Sequence, residues 1–446
     1  MTLPPFVNTP RFLRLFKLIF YPLNYLDDYG QKYGDIFAVG NQKNPLVYVS
    51  NPQGIQAIFS ADKTLFKSGG GGGFIQTLLG DNSLLLLQGE KHQRERKLLT
   101  PPFHGERLQT YGKLICDITQ DVTQKLKVNQ SFLVREVMQD ITLKVILQAV
   151  FGLYSGERYE QLQQLLGSML EFFSYPGNGA IIFFSSLQKD WGNWTPWGRF
   201  LRTKAKVDEL LYAEIRERRQ QQNYSGDDIL TLLMLATDET AKPMSDEELH
   251  DELITLLIAG HETTASTLSW ALYWIHYYPK IEEKLRSHLL NLGEAPNLYD
   301  ILKLPYLEAI CNETLRIYPV VLNTFFRMLQ EPLELMGYQF EPGTVFAPSI
   351  YLVHHREDIY PQPKQFRPER FLEKQFSPYE YLPFGGGIRR CIGMELAKME
   401  MKLVLATILS QFCLKLTSRR SLKPVRRGLT VAPPTRFKMV VCNQIF

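Results

Sequence analysis

Phe384-Gly385-Gly386-Gly387-Ile388-Arg389-Arg390-Cys391-Ile392-Gly393 sets one cysteine between a glycine-rich bend and a long apolar stretch, with an arginine two residues before it. A thiol at the entry to a helix meets backbone N–H groups that have no partner inside the helix, and it meets the positive end of the helix dipole. Both favour thiolate over thiol. A thiolate held this way suits a single soft bond to a metal, whereas a lone cysteine without such surroundings is usually a buried structural thiol. The glycines let the backbone turn tightly and pass close to a large flat ligand. Arg389 can reach a carboxylate of that ligand in a forked geometry.

Haem iron is one metal that accepts a lone cysteine. Phe-x-x-Gly-x-Arg-x-Cys-x-Gly is far more specific than an isolated glycine motif, and it resembles the haem-binding loop of the cytochrome P450 family. The resemblance implies haem b (iron protoporphyrin IX), with Cys391 as its axial ligand and Arg389 on a propionate. It also implies Phe384 against the sulfur side of the ring, and Gly393 letting the next helix lie close. The implied fold is mainly α with small β-sheets: a single haem domain over residues 1–446, with residues 1–24 as an N-terminal segment and a long central helix across the haem pocket.

Upstream motifs follow in the family's order. Ser245-Asp-Glu-Glu248 matches a capping box and opens an unbroken helical pattern that runs to Tyr278, before Pro279. Such a helix is about 50 Å long, enough to cross a domain. Its interior carries Ala259-Gly260-His261-Glu262-Thr263-Thr264. A small pair mid-helix costs stability but clears space beside the backbone. The plainer alternative is one solvated acid and a hydroxyl bonded back to its own helix. Beside the cysteine loop, the segment resembles the family's oxygen-activating motif, in which Glu262 and Thr263 would guide protons to iron-bound dioxygen.

Glu313-Thr-Leu-Arg316 places a carboxylate and a guanidinium one turn apart on a helix, by itself an everyday pair. With Phe366-Arg-Pro-Glu-Arg370-Phe371 downstream it resembles the family's buried network, so Glu313, Arg316 and Arg370 are expected to be structural. Gly89-Glu-Lys-His92-Gln-Arg-Glu-Arg96 resembles the family's propionate-binding helix, and the i, i+4 spacing sets His92 and Arg96 on one face. Arg327 is a further propionate candidate, and His355 a residue near the haem.

Composition supports a large core. The 446 residues are 45% hydrophobic, and no segment is long and apolar enough to span a bilayer. A net charge of +4 does not argue for nucleic acid, and no nucleic-acid-binding signature appears. Five scattered cysteines without a CxxC pair indicate a reducing, cytoplasmic setting, and no signal peptide is evident. Arg11-Phe-Leu-Arg14-Leu-Phe-Lys17-Leu-Ile-Phe20 reads as a first helix docked on the body, or as an amphipathic segment in peripheral contact with a membrane. Asp35–Val39 and Leu46–Ser50 form a strand pair by pattern, and Asn51-Pro52 opens a short helix. The glycine run 69–73 lacks a phosphate-loop context and reads as a flexible lid, while aromatic stretches at 172–177 and 181–184 suit either a ligand portal or core. Residues 220–245 read as a solvated connection.

The family resemblance implies a monooxygenase that uses O2 and NAD(P)H-derived electrons. The chain shows no flavin or iron–sulfur domain, so the electrons are expected from a ferredoxin or flavodoxin with its reductase, docking on Lys91, Arg94, Lys97, Arg390 and Lys398. A monomer is expected. Ala259, Val320, Val321, Leu322, Phe325 and Leu429 are the candidate pocket lining and offer no charged anchor. A long-chain fatty acid or related lipid fits that lining, as does a terpenoid or steroid. An electron-independent isomerase or dehydratase and a non-catalytic haem sensor are the alternatives of a different class.

Overall fold

Ser245 Oγ accepts the Glu248 N–H at 3.1 Å while Glu248 Oε2 accepts the Ser245 N–H at 2.8 Å. This capping box starts a helix spanning Asp246–Tyr277, and Pro279 begins the next one, Pro279–Leu290. Leu253–Leu257 and Thr264–His276 are buried, so the helix is apolar around most of its girth, as a helix running through a core must be. The computed structural model describes residues 3–445 except 62–63, 70–72, 173–177, 179, 183, 222–225 and 294–295. The glycine run, the aromatic stretches and the polar connection expected from the sequence therefore lie partly outside the described residues.

The strands run, in chain order, β1 (Ile36–Gly40), β2 (Pro45–Val49), β3 (Phe66–Gly69), β4 (Ser131–Leu133), β5 (Phe326–Leu329), β6 (Leu333–Leu335), β7 (Tyr338–Phe340), β8 (Val345–Pro348), β9 (Phe412–Leu416), β10 (Val425–Arg427), β11 (Thr430–Ala432) and β12 (Lys438–Gln444). Contacts divide the chain into two compact units.

The first unit comprises Met1–Gly70, Pro305–Cys391 and Leu422–Pro434. It holds a five-stranded sheet of order β1-β2-β8-β5-β3, with β2 and β8 parallel and the other neighbours antiparallel. The expected strand pair is β1 and β2, joined from Ile36↔Val49 to Gly40↔Pro45. The expected short helix is Pro52–Ser60, where Asn51 Oδ1 caps the Gln53 and Gly54 N–H groups. One face of the sheet packs Val47, Val49, Phe340 and Phe346. The other packs Phe37 and Tyr48 against Tyr25 and Tyr29 of the helix Pro22–Tyr33.

The second unit comprises Gly71–Leu304, Ile392–Ser421 and Thr435–Phe446, and is mostly helix around Asp246–Tyr277. Helices Val134–Phe151, Pro196–Gln220 and Met394–Gln411 pack on that central element. A Cβ added to Gly260 would stand 2.8 Å from Ile146 Cδ1. The missing side chain thus brings Val134–Phe151 close. Among the described residues no helix is long and apolar enough to cross a membrane.

Candidate functional site

In the first unit the cysteine loop is shaped by its glycines. Gly385 and Gly387 have φ of +70° and +62°, the left-handed region that L side chains resist. A Cβ on Gly386 would come 2.4 Å from a ring carbon of Phe59, so the loop wraps closely over that ring. The Gly385 N–H donates to the Leu382 carbonyl at 2.9 Å, and the Cys391 N–H to the Phe384 carbonyl at 3.0 Å. Cys391 itself is exposed. The following helix begins at Met394 with Gly393 as its cap residue, so the thiol stands just outside the helix rather than in its first turn.

Behind the loop lies a polar network that the sequence motifs anticipated in part. Glu313 and Arg316 are fully buried and Arg370 nearly so. Glu313 Oε2 accepts from Arg316 Nε at 2.6 Å. Its Oε1 accepts from Arg316 Nη2 at 2.9 Å, from Arg370 Nε at 3.1 Å and from the Arg367 backbone N–H at 2.8 Å. Both guanidinium groups also lie over the Tyr360 ring, at 5.1 and 6.0 Å. Buried charges persist only when paired and bonded this completely.

His354 joins the network to the loop, a role with no sequence signal beyond its position. Its Nε2 accepts the Leu382 N–H at 3.0 Å, which leaves the proton on Nδ1 facing the Arg316 carbonyl at 3.3 Å. Burial, then the Arg316 charge, holds this imidazole neutral down to about pH 3. His355 bonds to the Tyr351 carbonyl through Nδ1 at 2.9 Å and lies against the Tyr351 ring.

Arg327 is a buried cation in the same unit. Its Nη1 donates to the Phe325 carbonyl at 3.3 Å, no carboxylate pairs with it among the described residues, and burial lowers its pKa to about 10. A guanidinium in that condition fits an anionic group of a ligand. Arg389 is buried as well. The candidate lining divides: Val321, Phe325 and Leu429 are exposed and Val320 is buried. Leu322 packs into the core with Phe37, Tyr48 and Tyr351. That placement corrects its expected lining role, because its side chain is already enclosed by the sheet's neighbours.

In the second unit, His92 is buried and Arg96 half-buried on the helix Gly89–Leu99. Arg94, expected in a docking patch, instead bonds Glu95, Asp238 and Glu248, and Lys97 pairs with Glu239 at 2.6 Å. Their charge is locally answered. Lys91 of the same helix is exposed, and in the first unit so is Arg390.

Beyond its first turn, the central helix is exposed at one position, in its middle. Ala259 is exposed between the half-buried Ile258 and Gly260, and Thr263 Oγ1 donates to the Ala259 carbonyl at 2.6 Å. That bond is the backbone-directed alternative weighed above, and it leaves the oxygen lone pairs as acceptors. Glu262 is mostly sheltered from solvent and fully engaged. Arg135 Nη2 reaches its two oxygens at 2.5 and 2.7 Å, Gln139 Nε2 donates at 3.2 Å and Ser266 Oγ at 3.4 Å. Arg135 and Gln139 escaped sequence reasoning. The available signal was weak: a cation and an amide four residues apart in the helix Val134–Phe151, which also carries Glu136, Asp140 and Lys144. His261 is buried with Nδ1 2.8 Å from Thr142 Oγ1, and burial holds it neutral to about pH 4.

Among the described residues no cluster of three or more His, Cys, Asp or Glu converges on a metal. An exposed lone thiol and a buried cation without a carboxylate therefore make up the donor set, and this set fits a haem with its carboxylates. The family model described as cytochrome P450 matches residues 3–441. The Mycobacterium tuberculosis protein named cytochrome P450 135B1 is 33% identical over 441 residues, covering 97% of this chain and 90% of that one. Cytochrome P450 138 of the same organism is 30% identical over 448 residues, with 98% and 96% covered. Among solved structures, retinoic acid-bound cyanobacterial CYP120A1 matches with a TM-score of 0.83 at 26% identity and covers 100% of both chains. The cytochrome P450DA haem domain matches at 0.83 and 24%, with 98% and 97% covered, a likeness of fold.

Proposed function

Because the chain belongs to the cytochrome P450 family, and so is a haem-thiolate monooxygenase using O2, we propose that it oxidises a C–H bond of a long-chain lipid, a fatty acid first. The observation that carries the substrate class is the candidate lining in the first unit, where the exposed Val321, Phe325 and Leu429 and the buried Val320 bear no charge or hydrogen-bonding side chain. The retinoic acid in CYP120A1 is likewise an apolar chain ending in a carboxylate. It favours an isoprenoid acid as the second substrate class.

In this reading Cys391 would hold the haem iron through its thiolate, Arg327 and Arg389, with His92 and Arg96, would hold the haem carboxylates, and Phe384 and Gly393 would flank the thiolate. Bound haem supplies oxygen activation, with thiolate donation favouring O–O cleavage. The chain's own part is proton handling and exclusion of water. Thr263 Oγ1, its proton committed to the Ala259 carbonyl, offers lone pairs to a donor beside it. Glu262 is the proton carrier of the motif, and it can serve only when its carboxylate leaves Arg135. The electrons come from NAD(P)H through a ferredoxin or flavodoxin and its reductase, with Lys91 and Arg390 as the exposed cations for an acidic partner. Peripheral contact of residues 1–24 with lipid belongs to the same picture, as does a monomeric, single catalytic module.

A panel of fatty and isoprenoid acids, read by the ferric spin-state shift and then by product analysis with a reconstituted redox chain, tests this. Hydroxylated product is expected from at least one acid. Spin shifts without product from any of them would favour a sensor, and product without reductant an isomerase.

A further inference from the structure

The helix Arg11–Phe20 turns its apolar face away from the protein. None of its residues is buried; Phe12 is 69% exposed, Phe16 52%, Phe20 50% and Leu13 42%. At the helical repeat these four fall within one arc of roughly 100°. The Phe16 and Phe20 rings lie 4.9 Å apart, with Tyr21, 55% exposed, 6.1 Å from Phe16. Leu18, on the opposite arc, packs onto the cluster of Tyr25, Phe37 and Tyr48. Its carbonyl accepts from Arg426 Nε at 2.9 Å, and Lys17 pairs with Asp28 at 2.7 Å. The expected docking of this helix on the body therefore involves only its back.

A stripe of large apolar side chains left facing water marks an interaction site. Its charges, Arg11, Arg14 and Lys17, are all positive, and the helix contains no acid. Lys17 borders the apolar arc and Arg11 and Arg14 lie beyond it, so cations flank the face as an interfacial helix needs on an anionic bilayer. The exposed Lys17–Asp28 pair is weak enough to yield to phosphate. A protein partner fits less well. Four such side chains cover a few hundred Å², short of the roughly 800 Å² per partner of a stable complex.

We propose that this face is a lipid-docking surface. The helix lies in the plane of an anionic bilayer with Phe12, Leu13, Phe16 and Phe20 among the acyl chains and Arg11 and Lys17 at the headgroup phosphates. The surface is joined by contact to the candidate lining of the same unit. Arg426 lies on β10, the paired strand β11 donates the Val431 N–H to the Val320 carbonyl at 2.9 Å, and Leu429 is in the turn between the two strands. The docking does not depend on which compound is oxidised, since its readout is binding.

Flotation of the haem-loaded full chain with vesicles of phosphatidylcholine alone, and of equimolar phosphatidylcholine and phosphatidylglycerol, tests it. Partition onto the anionic vesicles, weakening with salt, is expected. F12S/F16S should lower that partition at least roughly tenfold, and R11Q/K17Q by about the same factor. Both variants should keep the wild-type spectrum of the reduced carbon monoxide adduct, which shows that they fold and hold haem. Emission of an F16W variant should be quenched by brominated acyl chains. Equal partition onto neutral and anionic vesicles, or equal partition of wild type and F12S/F16S, overturns the proposal. Self-association without vesicle binding, abolished by F12S/F16S, assigns the face to a second copy and overturns it too.

Discussion

Arg135 stands 127 positions from Glu262, yet one of its nitrogens bonds both oxygens of that carboxylate. Arg135 is nearly buried and Glu262 only slightly accessible, so removing the cation leaves a carboxylate with Gln139 and Ser266 alone. Arg135→Met should cost roughly 3 kcal/mol, the order found when one partner of a buried pair is removed, visible as a lower melting temperature. If Glu262 also carries protons, the same variant should shift the ratio of product to peroxide; a purely structural pair would melt earlier and leave that ratio alone. Thr263→Ala removes the lone pairs beside Ala259 and should lower product formation roughly 100-fold at unchanged haem content, with reducing equivalents appearing as peroxide. Thr263→Ser should restore most of the coupling, and full coupling in the alanine variant would remove the hydroxyl from the mechanism. Thr263 and Glu262 stand out in the sequence as candidates because the motif is local. Arg135 does not, because the contact is made by packing of two helices and leaves no spacing in the chain.

At the scale of elements, the helix Pro305–Ile317 is held to the cysteine loop by polar contacts more than by grease. Glu313 carries four hydrogen bonds from three residues, and His354 and Tyr381 tie Leu382 and the helix residue Asn312 into the same assembly. Arg370→Ala leaves Glu313 underbonded at zero exposure. A loss of about 3–5 kcal/mol is expected, large against a whole-protein stability of about 5–15 kcal/mol. The variant should accumulate little haem-loaded protein, and wild-type yield with an unchanged unfolding midpoint would show the network to be dispensable. Helices with a cap and a clear stop were legible: Ser245 to Tyr278 was expected and Asp246–Tyr277 is found. The pairing of β1 with β2 was legible because the two are adjacent in the chain. The parallel partner of β2 is β8, hundreds of residues away; nothing local encodes it, and the order of the sheet follows from tertiary packing. Leu322 was misjudged for the same reason, since an apolar residue beside a site looks the same in sequence whether it faces ligand or core.

Across the whole chain, buried titratable groups should set two opposing slopes of stability against pH. Burial holds His261 neutral to about pH 4 and His354 to about pH 3, and lowers His276 and His355 as well. Unfolded imidazoles titrate near 6.5. Below that pH the unfolded chain takes up protons the folded chain refuses, so stability falls as the solution is acidified. The carboxyls act in the other direction. Burial raises Glu400 to about 8, burial and then Glu248 raise Glu95 to about 7, and Glu252 is raised well above the usual range. From about pH 4.5 upward the unfolded chain releases these protons while the folded chain keeps them, so stability falls as pH rises. His250 adds to this arm: burial opposes its charge, but bonds to Asp208 and Asp251 outweigh that and raise its pKa, and the stability they give is lost as pH climbs through the raised value. Stability should therefore peak on the mildly acidic side of neutrality. Glu400 is the cleanest test because burial is the only cause of its shift and one of its oxygens has no hydrogen-bond partner among the described residues. From pH 4.5 to 8 it alone should withdraw of order 4 kcal/mol. Glu400→Gln keeps the shape of the protonated acid and has no proton to lose. Its melting temperature should match wild type near pH 5 and exceed it near pH 8, by several degrees for a chain of this size, whereas parallel curves for the two proteins would mean that Glu400 is ionised throughout.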